Sequence, residues 1–510
     1  MPSDRLVFTG NLISTLVNRY VPGSGVGAKP RAIRRRLRNK SAIFYELNAI
    51  ETTNGNTTNG NTTNGNTTNG NTTNGNTTNG NTTNGNTNID FSNYNYISNP
   101  NFFNQSGQYL QTQSIVTNMV YAGSGIQTHR VHTTSISNNG SVICFGMDFY
   151  TDPIDNISSI GLARVYKYDG NTWVQLGTNF VGNSMNDRVG TATALNSDGT
   201  IIAVSGTGPG YHGHTNIYKY STPEQVGGVW EPLGSTISGV THPHIENLGL
   251  DCDLDSTGSI LVLGTRSDSV KIYKYSTPGQ LGGVWEQLGN TLSNISVQFV
   301  SGMSNISNVS INGNGNIICV GSPAHADTKG LVNVYQYTTP GQLGGTWSSI
   351  GAIEAERFAG DKWGSSVSIN NLGTIIACGA TETRDGAGGE KSGHVRIFQY
   401  SGNSWSKMGQ DIDGETTNSY SGNTVSLSAN GLVVAIGALS HDEGGVEHIG
   451  EVRVYSYSSN IDTWVQVGVD LNGSTAQQYF GSTLKLNEDG SRLVVGSQSG
   501  AERVFVYNYE

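Results

Sequence analysis

The chain has 510 residues, of which 69 are glycine and only 13% are Asp, Glu, Lys or Arg, roughly half the usual charged share of a globular protein. That composition suits many short strands joined by tight turns and leaves little room for helix. Net charge is −10, yet residues 1–50 carry nine Lys/Arg against Asp4 and Glu46; this net of +7 leaves −17 on the remainder, which argues against a nucleic-acid grip by the body.

Residues 1–50 read as a basic leader. Its start, Met1 to Phe8, is a poor secretory signal, because the apolar stretch is broken by Gly10, Asn11, Ser14 and Thr15. No run in the chain approaches the ~20 apolar residues of a membrane span. Residues 31–38 suit a short helix with Ile33 and Leu37 on one side. The cluster Arg31, Arg34, Arg35, Arg36 and Arg38 would contact nucleic acid or another anionic surface, or be a solvated tail.

Residues 51–88 read as a spacer. Seven tandem copies of Thr-Thr-Asn-Gly-Asn occupy residues 52–86 and contain no apolar residue, so nothing offsets the entropy of ordering them. A random coil of this length spans on the order of 30–35 Å. Its Asn-Thr-Thr junctions, as at Asn56, match a glycan acceptor pattern. Residues 89–108 connect the spacer to the body.

Over residues 109–510 one phrase recurs seven times. Its turn glycines are Gly140, Gly199, Gly258, Gly315, Gly373, Gly431 and Gly490, at gaps of 59, 59, 57, 58, 58 and 59 residues. So regular a period means one supersecondary unit copied in series. Strand A alternates, as in Ser366-Val367-Ser368-Ile369. Strand B is an apolar run, as in Ile375-Ile376-Ala377-Cys378-Gly379, consistent with burial on both faces. Strand C is aromatic, as in Arg453-Val454-Tyr455-Ser456-Tyr457. Strand D opens on Trp173, Trp230, Trp285, Trp347, Trp405 and Trp464.

There are seven C strands and six D strands. A seven-bladed, all-β propeller of four-stranded antiparallel blades accounts for this if the missing strand comes from before the first unit. Tyr109-Leu110-Gln111-Thr112-Gln113 fits, aligned with Trp173-Val174-Gln175-Leu176-Gly177, although Tyr109 precedes Gly140 by 31 residues against 26 to 30 in complete units. Each blade edge would then be short and protected. The cysteines, Cys144, Cys252, Cys319 and Cys378, fall in different units and read as small buried hydrophobes.

Lys362-Trp363-Gly364-Ser365-Ser366-Val367, Tyr479-Phe480-Gly481-Ser482-Thr483-Leu484 and Cys378-Gly379-Ala380 resemble the FG-GAP repeat of the integrin α-chain N-terminal propeller, in its bacterial and viral branch. The leader phrase Tyr20 to Ala28, with the Arg cluster after it, resembles leaders on proteins of large marine algal viruses. The FG-GAP resemblance implies a propeller used for adhesion and, in many units, a calcium loop between strands A and B. The loops here, such as Asn370-Asn371-Leu372-Gly373, hold too few oxygens for a six- to eight-coordinate cation. The nearest approach, Asp251-Cys252-Asp253-Leu254-Asp255, lacks an acid after Gly258. Plain turns, with neither calcium nor another cofactor, are therefore expected.

Histidines and acids gather in the B–C and D–A loops, which share one face at the channel mouth. The binding candidates are Asp148, Asp152, His212, His214, His242, His244, His325, Asp327, Glu382, Asp385, His441, Asp442, Glu443 and His448. Loops on a rigid scaffold are where binding residues concentrate, and this mixture suits a metal, a sugar or a basic peptide. No nucleophile motif and no phosphate-cradling loop is present: Gly206-Thr207-Gly208 follows a strand but opens no helix. The leading reading is a non-enzymatic module that binds a protein or a glycan. A hydrolase or lyase on the His-rich face, or a purely structural surface or virion component, are the alternatives.

Overall fold

Strand B is apolar throughout because both its faces are covered. Val142–Met147, Ile201–Gly206, Ile260–Gly264, Ile317–Ser322, Ile375–Ala380 and Val433–Ala438 are buried at every position. The computed structural model describes residues 7–8, 45–46, 108–116, 130–152, 154–222, 227–240, 246–266, 269–293, 308–354, 360–382, 389–499 and 502–510. The chain divides into two compact units, Met1–Asn99 and Pro100–Glu510. In the first, Val7–Phe8 pairs with Tyr45–Glu46. The basic cluster at 31–38 and the spacer lie outside the described residues.

The second unit is a seven-bladed β-propeller of antiparallel sheets in the order A-B-C-D. Blade 1, for example, pairs Thr133–Ile136, Val142–Met147, Leu162–Tyr168 and Trp173–Gln175 in succession. In blades 1, 2, 3, 5 and 6 strand D is broken, and a two-residue piece such as Leu471–Asn472 pairs with the start of strand C.

Blade 7 is stitched from both ends of the unit. Tyr109–Val116 pairs with Glu502–Tyr509, which continues to Arg492–Gly496 and Thr483–Leu486. The expected alignment is corrected by two residues. Other blades set Trp opposite the last Tyr of strand C, as Trp464 opposite Tyr457. Here Gln111 faces Tyr507, while Tyr109 faces Tyr509. Counted from Gln111, the distance to Gly140 is 29 residues, inside the range of the complete units. Tyr109 packs edge-on to Tyr509 at 5.5 Å and donates its hydroxyl to the Gly490 carbonyl.

Two sets of contacts join the blades. In the six complete C–D hairpins, Tyr and Trp rings pack tilted at 4.9–5.4 Å. The indole N–H then reaches the preceding blade: Trp230 to Leu176 O (3.0 Å), Trp285 to Leu233 O (2.7 Å), Trp347 to Leu288 O (2.9 Å) and Trp464 to Met408 O (2.8 Å). The residue after each acceptor is a left-handed glycine, such as Gly177 at φ 63°, where a Cβ would stand 2.6 Å from Trp230. Blade 4 departs from this. Its strand D runs unbroken over Trp347–Glu354, Gly351 has φ 157°, and Trp405 Nε1 is buried without an acceptor.

The A–B turns supply the second set. Asn138 N donates to Ser197 O, Ser197 to Ser256, Ser256 to Gly313, Gly313 to Asn371, Asn371 to Ala429, Ala429 to Glu488, and Glu488 back to Asn138, all at 2.8–3.1 Å. This closed belt of seven backbone hydrogen bonds fixes the ring. Apolar side chains fill the gaps between sheets, as where Cys144 and Val165 of blade 1 meet Ile202 and Val204 of blade 2. All four cysteines are free and buried.

Candidate functional site

The face made by the B–C and D–A loops is built by a recurring backbone ladder. Asn186, Arg188 and Val189 N–H groups donate to Ser158, Ser159 and Ile160 carbonyls. Asn418, Tyr420 and Ser421 do the same to Glu390, Lys391 and Ser392, and Gln477, Tyr479 and Phe480 to Glu447, His448 and Ile449. Each of these D–A loops is thereby tied to the B–C loop of the blade before it. The ladder needs a glycine ahead of strand C, because the next blade's backbone passes too close for a side chain. At Gly161 (φ 80°) an added Cβ would lie 2.1 Å from Val189 N, and at Gly450 (φ 79°) 2.1 Å from Phe480 O.

The ladder also forces a left-handed residue just before strand A. That position holds Arg188, Asn247, Lys362, Tyr420 and Tyr479, at φ 48–55°, and none is glycine. The Arg188 and Arg130 guanidiniums both lie over the Phe149 ring, at 4.5 and 4.6 Å from its centroid. Lys362 Nζ meets Glu382 at 2.7 Å, and Tyr479 stacks on His448 at 5.5 Å. Trp363 and Phe480, the packing residues that follow, are each 1% exposed.

The sequence-predicted residues separate into local clusters. Asp148 is buried and takes both Arg130 hydrogen bonds, at 3.1 and 3.0 Å. Asp152 accepts from Ile154 N (2.8 Å) and so shapes its own loop. His212 and His214 lie near Asp187, but His214 Nδ1 stands 3.6 Å from Asp187 Oδ1, too far for a hydrogen bond. Burial holds the His214 pKa below its ordinary value, and neighbouring His212 adds to this against the pull of Asp187. Asp442 accepts from His448 N at 2.6 Å, and Glu443 accepts from Asn472. His325 opens a one-turn helix, His325–Thr328, which also contains Asp327 in its backbone. His242, His244 and Asp385 lie outside the described residues.

His441 leads to residues the sequence reading missed. Its Nδ1 meets Thr416 Oγ1 at 3.2 Å and its Nε2 faces Glu451 Oε1 at 3.8 Å. Glu451 is 1% exposed and pairs with Arg453 (3.2 Å), which also binds Glu415 (3.0 Å). Burial raises the Glu451 pKa to about 7; Arg453 opposes this, while Glu415, Asp470 and Glu443 add to it. Glu451 and Arg453 open strand C, where alternating charged residues could have been noticed. Glu415 and Asp470 come from a D–A loop and the edge of strand D, with no sequence signal linking them.

A cavity of about 150 Å³ lies inside the ring at the A–B turn end, away from this face. Strand A of every blade contributes to its lining, with Ser135, Ala194, Asp253, Ser310, Ser368, Ser426 and Lys485 among the residues. Five of them also accept the backbone N–H of the next blade, as Ser135 does from Leu195 (2.9 Å) and Asp253 from Ile311 (3.0 Å). Asp251 to Leu254 form strand rather than loop. Burial pushes the Asp251 pKa up to about 6, with the Val309 N–H and Lys485 lowering it and Asp253 raising it. The turn oxygens are committed to backbone: Asp255 accepts from Ser259 and Ile260 N, and Asn370 from Thr374 and Ile375 N, at 2.7–2.9 Å.

No protein-family model matches the chain, and no curated protein matches it. Among solved structures it is similar to the β-propeller domain of Cps50 (Swd1) from Myceliophteria thermophila. Identity is 10%, coverage is 78% of this chain and 99% of that one, and the TM-score is 0.46. So distant a likeness carries no functional argument, and the ring is assigned from its own strand pairing and its closed belt. Among the described residues, no helix is long and apolar enough to cross a membrane.

Proposed function

We propose that this protein is a non-enzymatic recognition module of the FG-GAP kind, binding a protein or a glycan through its B–C and D–A loop face. The observation that carries this reading is the backbone ladder, which holds the loops in place while side chains occupy left-handed positions. Each such non-glycine residue costs about 1–2 kcal/mol, and strain of this kind concentrates at ligand clamps. A face already ordered loses little conformational freedom when a partner docks. Ile154, Met185, Tyr211, Val240 and Val446 are exposed on it, giving apolar contact points among histidines and acids. Phe480-Gly481 and Trp363-Gly364 at the entry to strand A support the FG-GAP kinship. In this reading the module serves recognition at a virion or cell surface.

The test is a glycan array and a pull-down with the full chain, beside a face variant carrying Arg188→Glu, Tyr211→Ala and Tyr479→Ala. Binding that the variant loses supports the reading. Silence in both assays, or binding that the variant retains, refutes it. Turnover of a polysaccharide or phosphoester, abolished by changing His212 and His214, would favour the enzymatic alternative.

A further inference from the structure

Glu415, Glu451 and Asp470 bring one carboxylate oxygen each within 4.8 Å of the others, where blade 5 hands over to blade 6 on the B–C and D–A loop face. Each carboxylate spends one oxygen on a donor. Glu415 Oε1 takes Arg453 Nη1 (3.0 Å), Glu451 Oε2 takes Arg453 Nε (3.2 Å), and Asp470 Oδ1 takes Gln466 Nε2 (2.6 Å). The second oxygen of each is left over. For Glu451 this is Oε1, fully buried and without a hydrogen-bond donor.

A second orphan stands beside it. Asn472 is the direct strand partner of Glu451, so the two side chains lie on the same side of the sheet. Asn472 Oδ1 is likewise buried with no donor, while its amide nitrogen serves Glu443. A buried acceptor without a donor costs about 1–3 kcal/mol, more when charged. Arg453 faces both Glu415 and Glu451, and His441 Nε2 stands 3.8 Å from Glu451 Oε1. The donor set is oxygen only, which suits a hard cation.

We infer that Glu415, Glu451 and Asp470, with Asn472 Oδ1 beside them, form a divalent-cation site suited to calcium. One oxygen of each carboxylate lies within 4.8 Å of the others, and a part-exposed set of oxygens with no fixed octahedron suits Ca²⁺, which accepts irregular geometry, better than Mg²⁺, which demands a near-ideal one. Glu415 and Asp470 are exposed, which leaves the outer coordination positions open to water. Arg453 remains as a fixed counter-charge that limits the affinity. The site is separate from the A–B turns, whose oxygens already cap backbone, and it stands independently of the recognition reading.

The test uses the full chain stripped with EDTA and titrated with TbCl3, then CaCl2. Tyr455, whose ring lies 5.8 Å from the Arg453 guanidinium, is placed to sensitise terbium emission. The expected result is a saturating signal of one equivalent, displaced by Ca²⁺ more readily than by Mg²⁺. The Glu415→Gln/Asp470→Asn variant should weaken it at least about tenfold and should lose the rise in melting temperature that Ca²⁺ gives the parent. These positions are at the surface, so the variant should melt like the parent in EDTA. If it does not, Asp470→Asn alone, which disturbs only Gln466, replaces it. No saturating signal, an unchanged affinity in the variant, an equal Ca²⁺ shift in both proteins, or Mg²⁺ displacing as well as Ca²⁺ would overturn the assignment.

Discussion

Replacing Tyr109 by alanine tests whether the borrowed strand holds the ring shut. The side chain is 4% exposed, packs among Val433, Leu486 and Tyr507, and donates to the Gly490 carbonyl. Removing a buried aromatic ring costs about 3–5 kcal/mol, and the lost hydroxyl contact alone about 1 kcal/mol. For a unit of about 400 residues the unfolding entropy is on the order of 0.8 kcal/mol per kelvin. Tyr109→Ala should therefore lower the melting temperature by about 5 °C, and Tyr109→Phe by about 1 °C. The assay is thermal unfolding followed by calorimetry, with Leu110→Ala as the internal control. Leu110 is the next residue on the same strand and is 45% exposed, so its truncation should change little. Equal melting of Tyr109→Ala, Leu110→Ala and the parent would refute closure by this strand.

Gly161→Ala should be far more damaging than Gly170→Ala. Both have positive φ, but a Cβ at 161 would strike Val189 backbone at 2.1 Å whereas 170 has nothing within 4 Å; denaturant midpoints should show a loss of about 3–5 kcal/mol against about 1–2 kcal/mol. Burial pushes the Asp411 pKa up, but the hydrogen bonds from Arg396 and Lys407 outweigh it and bring the value to about 2. With the folded pKa depressed, its stabilisation is present above the ordinary carboxylate range and is lost as pH falls from about 4 towards 2; the gap between the parent and Asp411→Asn in acid-unfolding curves should close over that window and nowhere above it. The thiols should be silent towards an alkylating reagent in the folded protein and all react once unfolded, since burial raises the Cys144 pKa to about 12 and raises Cys252, Cys319 and Cys378 as well. Rapid labelling of any of them in the native state would contradict the packing of strands A and B.

The ring was readable from sequence because its signals are local and repeated. A turn glycine, an apolar run and a Tyr–Trp hairpin recur within each unit, and even the missing D strand could be placed. What escaped depends on neighbours from other blades. Gly161 and Gly450 look like ordinary loop glycines until the adjoining backbone is seen to graze them. The offset of Tyr109 follows from pairing with a strand almost four hundred residues away, with Thr112 skipped by the register between Gln111 and Gln113. At the candidate face, the sequence located loops and polar side chains but not their companions. His448 acquires its meaning from Tyr479 and Glu382 from Lys362. Glu451 stands at a strand start, where an alternating pattern says nothing of Glu415 or Asp470.

The belt through Asn138, Ser197, Ser256, Gly313, Asn371, Ala429 and Glu488 has a consequence for how the chain can be cut. Each of its links is a turn donating to the next turn, so the hoop is indifferent to which blade comes first. Gln108 and Glu510 exchange backbone hydrogen bonds at 3.2 and 3.1 Å, close enough for a short peptide to join them. Circular permutants that open in any of the C–D loops on the outer rim would keep every link of the hoop, and a cut between strands A and B would sever one.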